Sequence, residues 1–194
     1  MLLVYHYIFL FVWAAFLIYW QIMWQRMAAG AKANQRLESA ASRVLRAVLI
    51  CLAILLMGYP RIPVAWLSLQ LWPQGLVSFW AGFAVTLAGL LFCVWARVHL
   101  GRNWSSAVTV KQDHELIVSG PYALVRHPIY SGLLLAFAGT ALAIGQIRAL
   151  LGFALVAIAP GLKLRLEEKW MRTQFGAKYE AYSERVKALV PGLL

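Results

Sequence analysis

The chain has 194 residues, of which 62% are hydrophobic and 13% charged, a balance too apolar for a single water-soluble core. Its formal net charge is +11, but no basic cluster is interleaved with stacking aromatics in a polar domain, so no nucleic-acid partner is expected. The lipid bilayer is the expected solvent. The seven acidic residues stand between or after the long apolar runs, which avoids the cost of about 2.5–3.5 kcal/mol for a charge at the bilayer centre.

Five apolar stretches follow in chain order. Leu2 to Trp24 runs 23 residues without a formal charge, more than the roughly 20 needed to cross the hydrocarbon core, and reads as a span rather than a removable signal peptide. A second stretch begins near Val44 and ends at Gly58-Tyr59-Pro60. The third, Leu76 to Ala96, lies between Pro73 and Arg97. The fourth and fifth, Ile129 to Ile144 and Ala149 to Leu162, form a helical hairpin broken at Gly145-Gln146-Ile147-Arg148. Gly132, Gly139 and Gly152 are expected to let the backbones of that hairpin approach closely. The expected fold is thus an all-α integral membrane protein with five transmembrane helices, a cytosolic loop and a cytosolic tail. Residues 1–98 supply three N-terminal spans and 99–194 the remainder, as one structural unit. Cys51 and Cys93 lie inside spans, where a thiol acts as a small hydrophobe and a disulfide framework is not expected.

Lysine and arginine set the orientation. Sixteen of the 18 fall in residues 25–46, 97–126 and the tail after 162, and only Arg61 and Arg148 on the opposite side. The positive-inside rule then puts the N-terminus outside and the C-terminal tail in the cytosol.

Two polar segments flank the hairpin and meet at its cytosolic mouth: His99 to Pro128, and the tail from Lys163. The first holds the apolar runs Val108-Thr109-Val110 and Leu116-Ile117-Val118, an expected extended hairpin or loop, and then a turn at Ser119-Gly120-Pro121. Pro128 suits the first turn of the fourth span, where its missing N–H costs nothing. That holds His127 at a helix N-terminus with Tyr130 and Ser131 one turn on. Such a pair could grip a polar small molecule, or His127 could simply cap the helix while Arg126 anchors it to phosphates. In the tail, Lys163 and Glu167 share a helix face. Phe175, Tyr179 and Tyr182 form a stripe at packing spacing. Glu167 and Glu168 are either solvated partners of Lys163 and Arg165 or acceptors for a ligand's amino and hydroxyl groups.

Gly120-Pro121-Tyr122, Arg126-His127-Pro128-Ile129-Tyr130-Ser131-Gly132, Glu167-Glu168 and Phe175-Gly176-Ala177-Lys178-Tyr179-Glu180-Ala181-Tyr182 together resemble the isoprenylcysteine carboxyl methyltransferases, over residues 101–190. Phospholipid methyltransferases share much of this pattern. The resemblance implies an S-adenosylmethionine-dependent methyltransferase with its cofactor at the cytosolic end of the hairpin. The implied cofactor contacts are His114, Glu115, Leu116, Ile117, Tyr122, His127, Pro128, Ile129, Tyr130 and Glu167. Lys163 or Arg165 would serve catalysis by facing a lipid-bearing substrate, with Glu168 beside them, and no metal is implied. The implied acceptor is the carboxylate of a prenylcysteine-like lipid entering from the bilayer. Three alternatives remain: methylation of a phospholipid amine, an NADPH-dependent membrane reductase (such enzymes carry an element like Arg126-His127-Pro128-x-Tyr130-x-Gly132), and a non-catalytic membrane scaffold.

Overall fold

The structure, a computed structural model, describes residues 2–28, 39–59, 62–101 and 116–193. Among these the regular structure is helical: α1 (Leu2–Ala28), α2 (Ala40–Gly58), α3 (Leu76–Leu100), α4 (Pro128–Ile144), α5 (Ile147–Phe175) and α6 (Ala177–Arg185). Four helices, α1, α2, α3 and α5, are long and apolar enough to cross a membrane, while α4, with 17 residues, is a shorter apolar helix. At 1.5 Å per residue α4 is about 26 Å long.

The second apolar stretch begins earlier than its charges suggest. Ser39 caps α2 by accepting from the Ser42 N–H at 3.2 Å, so Arg43 and Arg46 lie within the first two turns of a 19-residue helix. The fifth continues far past Leu162. Pro160 interrupts one backbone hydrogen bond without ending the helix, and α5 runs 29 residues to Phe175, carrying Lys163, Glu167 and Glu168 as a rigid extension of an apolar rod.

The expected close approach of α4 and α5 is not what the glycines provide. A Cβ on Gly139 would lie 2.6 Å from the Gly82 carbonyl oxygen, and one on Gly132 would lie 2.7 Å from the Gly89 carbonyl oxygen. Both partners belong to α3. Gly82 and Gly89, like Gly132 and Gly139, are seven residues apart, so the two helices present matched small-residue faces and bring backbone against backbone. Gly152 of α5 faces Met57 and Ala53 of α2 instead. The tight pairs are therefore α3 with α4 and α2 with α5. Thr86 strengthens the first, its hydroxyl donating to the Ala136 carbonyl at 3.1 Å. α1 joins the same pair through Phe9, whose ring lies 5.7 Å from Phe79 and 5.9 Å from Phe83, and through the Trp13 indole N–H to the Thr140 hydroxyl at 3.2 Å.

The end at which α4 turns into α5 is fastened by polar groups. Gly145 ends α4 at φ +65°, the left-handed conformation that favours glycine. Trp72 donates to the Leu142 carbonyl at 2.9 Å and Gln74 to the Ile144 carbonyl at 2.6 Å. Arg148 is buried and donates to the carbonyls of Leu56, Met57 and Tyr59 at 2.7, 3.1 and 3.0 Å. Leu56 and Met57 supply carbonyls of the last turn of α2, which have no partner within the helix, and Tyr59 follows directly after it.

Candidate active site

The opposite end gathers the chemistry. His127 is the residue before α4 and Pro128 its first residue, as the fixed φ of proline favours. The His127 side chain makes no capping bond to that helix, so the simple capping alternative does not hold. Its ring stands between the two carboxylates of α5: Nδ1 is 3.5 Å from Glu167 Oε2, and Nε2 is 3.4 Å from Glu168 Oε1.

Glu167 also accepts from the Tyr130 hydroxyl at 3.0 Å, and Lys163 Nζ lies 3.0 Å from the same Oε1. The expected Lys163–Glu167 pairing along one helix face is present, and Tyr130 and His127 complete it from α4. Glu168 does not pair with Arg165, which is exposed. It is held by Arg126 through Nε at 2.9 Å and through Nη2, with Arg172 Nη2 at 3.5 Å. Arg126 is thus tied to protein groups, with Nη1 donating to the Ser183 carbonyl at 3.0 Å and to that of Val186.

Burial alone would raise both carboxyl groups, since it disfavours the ion. For Glu167 the His127 hydrogen bond and the Lys163 ammonium outweigh it, and for Glu168 His127 and Arg126 do so. Each is held at about 2. Burial would likewise lower His127, but the two carboxylates raise it above its ordinary value. The opposed charges of the cluster thus favour one another's ionised forms.

A strap from the C-terminus locks this array, and local sequence patterning gave no sign of it. The backbone N–H groups of Arg126 and His127 donate to the carbonyls of Lys187 and Ala188 at 2.8 and 2.9 Å. Ser131 donates to the Leu189 carbonyl at 2.6 Å, and the Tyr182 hydroxyl to the Tyr122 carbonyl at 2.6 Å. Tyr179 and Tyr182 are buried, so their expected packing role holds. Phe175 does not share their helix, because Gly176 at φ +49° separates α5 from α6.

Tyr122 is buried and stacks on His99 at 6.5 Å between ring centres, and His99 pairs with the Ser119 hydroxyl at 2.9 Å. Pro128 is buried, and the Ile129 carbonyl accepts from the Cys93 thiol at 3.3 Å. Leu116 lines a surface groove with Val118, Phe175, Lys178, Ala181, Tyr182 and Arg185, and Ile117 is half-buried. His114 and Glu115 lie outside the described residues, as does most of the expected extended hairpin. Among the described residues no group of three or more His, Cys, Asp or Glu could hold a metal ion.

Four membrane-length apolar helices with a buried ionic cluster at one end define a multi-pass membrane protein whose polar site is built on helix ends. The chain belongs to the phospholipid methyltransferase family, whose profile matches residues 77–178, more than half of its length. That match begins in α3 and runs through the whole cluster to α6, well beyond the Arg126-to-Gly132 element on which the reductase alternative rested. Among characterised relatives, it is 34% identical over 99 residues to the protein-S-isoprenylcysteine O-methyltransferase of Schizosaccharomyces pombe, covering 50% of this chain and 42% of that protein. It is 42% identical over 74 residues to methanethiol S-methyltransferase 2 of Bradyrhizobium diazoefficiens, covering 37% and 27% respectively. The solved structure of a eukaryotic intramembrane Ras methyltransferase, an isoprenylcysteine carboxyl methyltransferase, shares the fold with a TM-score of 0.53 at 23% identity, over 80% of this chain and 54% of the other. The chain spans about half the length of the curated relatives it matches.

Proposed function

We propose that this chain is an integral membrane methyltransferase that moves a methyl group from S-adenosylmethionine to the carboxylate of a prenylcysteine-like lipid. The observation that carries the reading is the half-buried Glu167 carboxylate, which already holds an alkylammonium, that of the buried Lys163, at 3.0 Å beside the Tyr130 hydroxyl. A cofactor bearing an amino group beside a sulfonium fits such a setting, since a carboxylate and an aromatic face both favour cations. Glu167, the segment from His127 to Tyr130, and Tyr122 would hold it, together with Leu116, Ile117, His114 and Glu115. The cofactor supplies an electrophilic methyl group, and the chain's part is to orient and to exclude water.

A carboxylate acceptor is ionised at neutral pH, so its methylation needs no general base. Positioning is then the main task, and a well-oriented pair can contribute about 7–11 kcal/mol. Lys163 or Arg165 would orient the acceptor carboxylate, with Glu168 at the edge of the site. With α1 to α5 read as five spans, the cluster would lie at the cytosolic surface and the N-terminus outside. The distribution of lysine and arginine supports that orientation, and a lipid acceptor would reach the site from the bilayer.

The experiment is transfer of labelled methyl from S-adenosylmethionine to a prenylated N-acetylcysteine by the detergent-solubilised protein. A base-labile methyl ester formed by the unaltered protein and lost in Glu167→Gln supports the reading. Failure to methylate any prenylcysteine sinks it. The family's own name favours a second reading, methylation of a phospholipid amine, which the same assay separates because its product withstands base.

A further inference from the structure

Lys163 occupies the place at Glu167 that a cationic ligand would need. Its ammonium is 3.0 Å from Glu167 Oε1 and 5.8 Å from the centre of the Tyr130 ring, and the residue is only 6% exposed. Carboxylate and aromatic face together form a complete ammonium site, filled by the chain itself. The other oxygen of Glu167 faces His127 at 3.5 Å, and Glu168 is engaged by Arg126, Arg172 and His127. Among the described residues, no second carboxylate of the cluster is open to an entering cation. In so poorly solvated a site two ammonium groups cannot share one carboxylate oxygen without strong mutual repulsion.

We infer that Lys163 is an exchangeable counter-ion, which holds Glu167 in the ligand-free protein, yields it to the ammonium of the methyl donor, and then turns to the anionic head of the acceptor. This rests on the methyltransferase reading and adds an order and a coupling to it. A lysine suits the role because its ammonium is a point charge on a flexible four-carbon stem, whereas a guanidinium grips a carboxylate with two parallel bonds. Release of Lys163 separates its ammonium from the Glu167 carboxylate, and an anion that takes it up stabilises the exchanged state. Donor and acceptor binding are therefore mutually reinforcing, and by linkage each raises the affinity of the other by the same factor.

The test is calorimetric titration of the full chain in detergent with S-adenosylhomocysteine, with and without N-acetyl-S-farnesylcysteine, for the unaltered protein, Lys163→Met and Lys163→Arg. Lys163→Met removes the competitor, so it should bind S-adenosylhomocysteine about fivefold or more tightly, within the usual range of coupling between sites. The farnesylated acid should raise that affinity in the unaltered protein and leave it unchanged in Lys163→Met. Lys163→Arg should bind S-adenosylhomocysteine more weakly than the unaltered protein. Methylthioadenosine, which lacks the ammonium, should bind the unaltered protein and Lys163→Met alike, an outcome that a merely structural effect of the substitution would not produce. If the unaltered protein binds S-adenosylhomocysteine but Lys163→Met binds it no more tightly, or Lys163→Arg no more weakly, the exchange is wrong and the methyltransferase reading stands. If the unaltered protein does not bind S-adenosylhomocysteine, both fall.

Discussion

Replacement of Arg126 by methionine tests whether the ion cluster is a structural lock as well as a site. The substitution keeps an unbranched apolar stem and removes every donor: two to Glu168 and one shared between the carbonyls of Ser183 and Val186. The side chains of Arg126 and Glu168 are 10% and 11% exposed, so water does little to compensate. Removing one member of a buried ion pair costs about 3–5 kcal/mol. Glu168 keeps His127 at 3.4 Å and Arg172 at 3.5 Å, which holds the expected loss within that range despite the two carbonyls also set free. Against a total of about 5–15 kcal/mol that is a large fraction. At about 2–4 °C per kcal/mol for a chain of this size, Tm should fall by about 6–20 °C, read from tryptophan fluorescence of the detergent-solubilised protein on heating. The decisive variant is the double substitution Arg126→Met with Glu168→Met. It removes both charges and should recover at least about 1 kcal/mol relative to the sum of the two single losses. Single losses that simply add, within about 0.5 kcal/mol, would show that the two residues act independently and would refute the lock.

Two further outcomes follow from other parts of the molecule. Gly139→Ala should lower stability by about 1–3 kcal/mol because its Cβ meets the backbone of α3, at 2.6 Å from the Gly82 carbonyl oxygen; Gly161→Ala, with nothing within 4 Å of its added Cβ, should leave Tm unchanged or raised in the same thermal scan. The pH profile of Tm should show a plateau with two descending limbs. His127, raised above 6.5, contributes stability that is complete below 6.5 and is lost as pH rises through its folded value. Glu167 and Glu168, lowered from 4.5 to about 2, contribute stability that is complete above 4.5 and is lost as pH falls toward 2. His127→Gln should flatten the alkaline limb, and an unchanged limb would refute the assignment.

The apolar helices were legible because membrane insertion forces long uncharged runs, and α1, α3 and α4 begin within a residue of the positions that composition suggests. The Lys163–Glu167 pair was legible for a different reason: a spacing of four on one helix leaves little freedom. What the chain alone does not disclose is which small face meets which. Gly132 and Gly139 could serve either neighbour of α4, and it is the matching seven-residue spacing of Gly82 and Gly89 that selects α3. Arg126 with Glu168 is harder still. Forty-two residues separate them, and Arg126 looks like any juxtamembrane arginine until the tail from Ser183 to Leu189 folds across it. Its partners there are backbone carbonyls, which carry no residue-specific signature.

The same cluster that offers the chemistry also joins the two tight helix pairs. α3 and α4 are held together by backbone contact and α2 and α5 by Gly152 against Met57. At one end the pairs are joined by the turn at Gly145 and by Gln70, Trp72 and Gln74 reaching to α4. At the other end the joint is ionic, with His127 and Tyr130 of the α4 end meeting Glu167 and Glu168 of α5. Loss of Glu167 therefore removes a proposed ligand group and a helix tie at once. Glu167→Ala would confound the two, leaving Lys163 and Tyr130 facing a cavity. Glu167→Gln keeps a carbonyl oxygen to accept from Tyr130 and Lys163 while removing the charge. A Gln variant that holds its Tm near that of the unaltered protein yet no longer binds S-adenosylhomocysteine would assign the charge to ligand binding, whereas parallel loss of both would assign it to the tie.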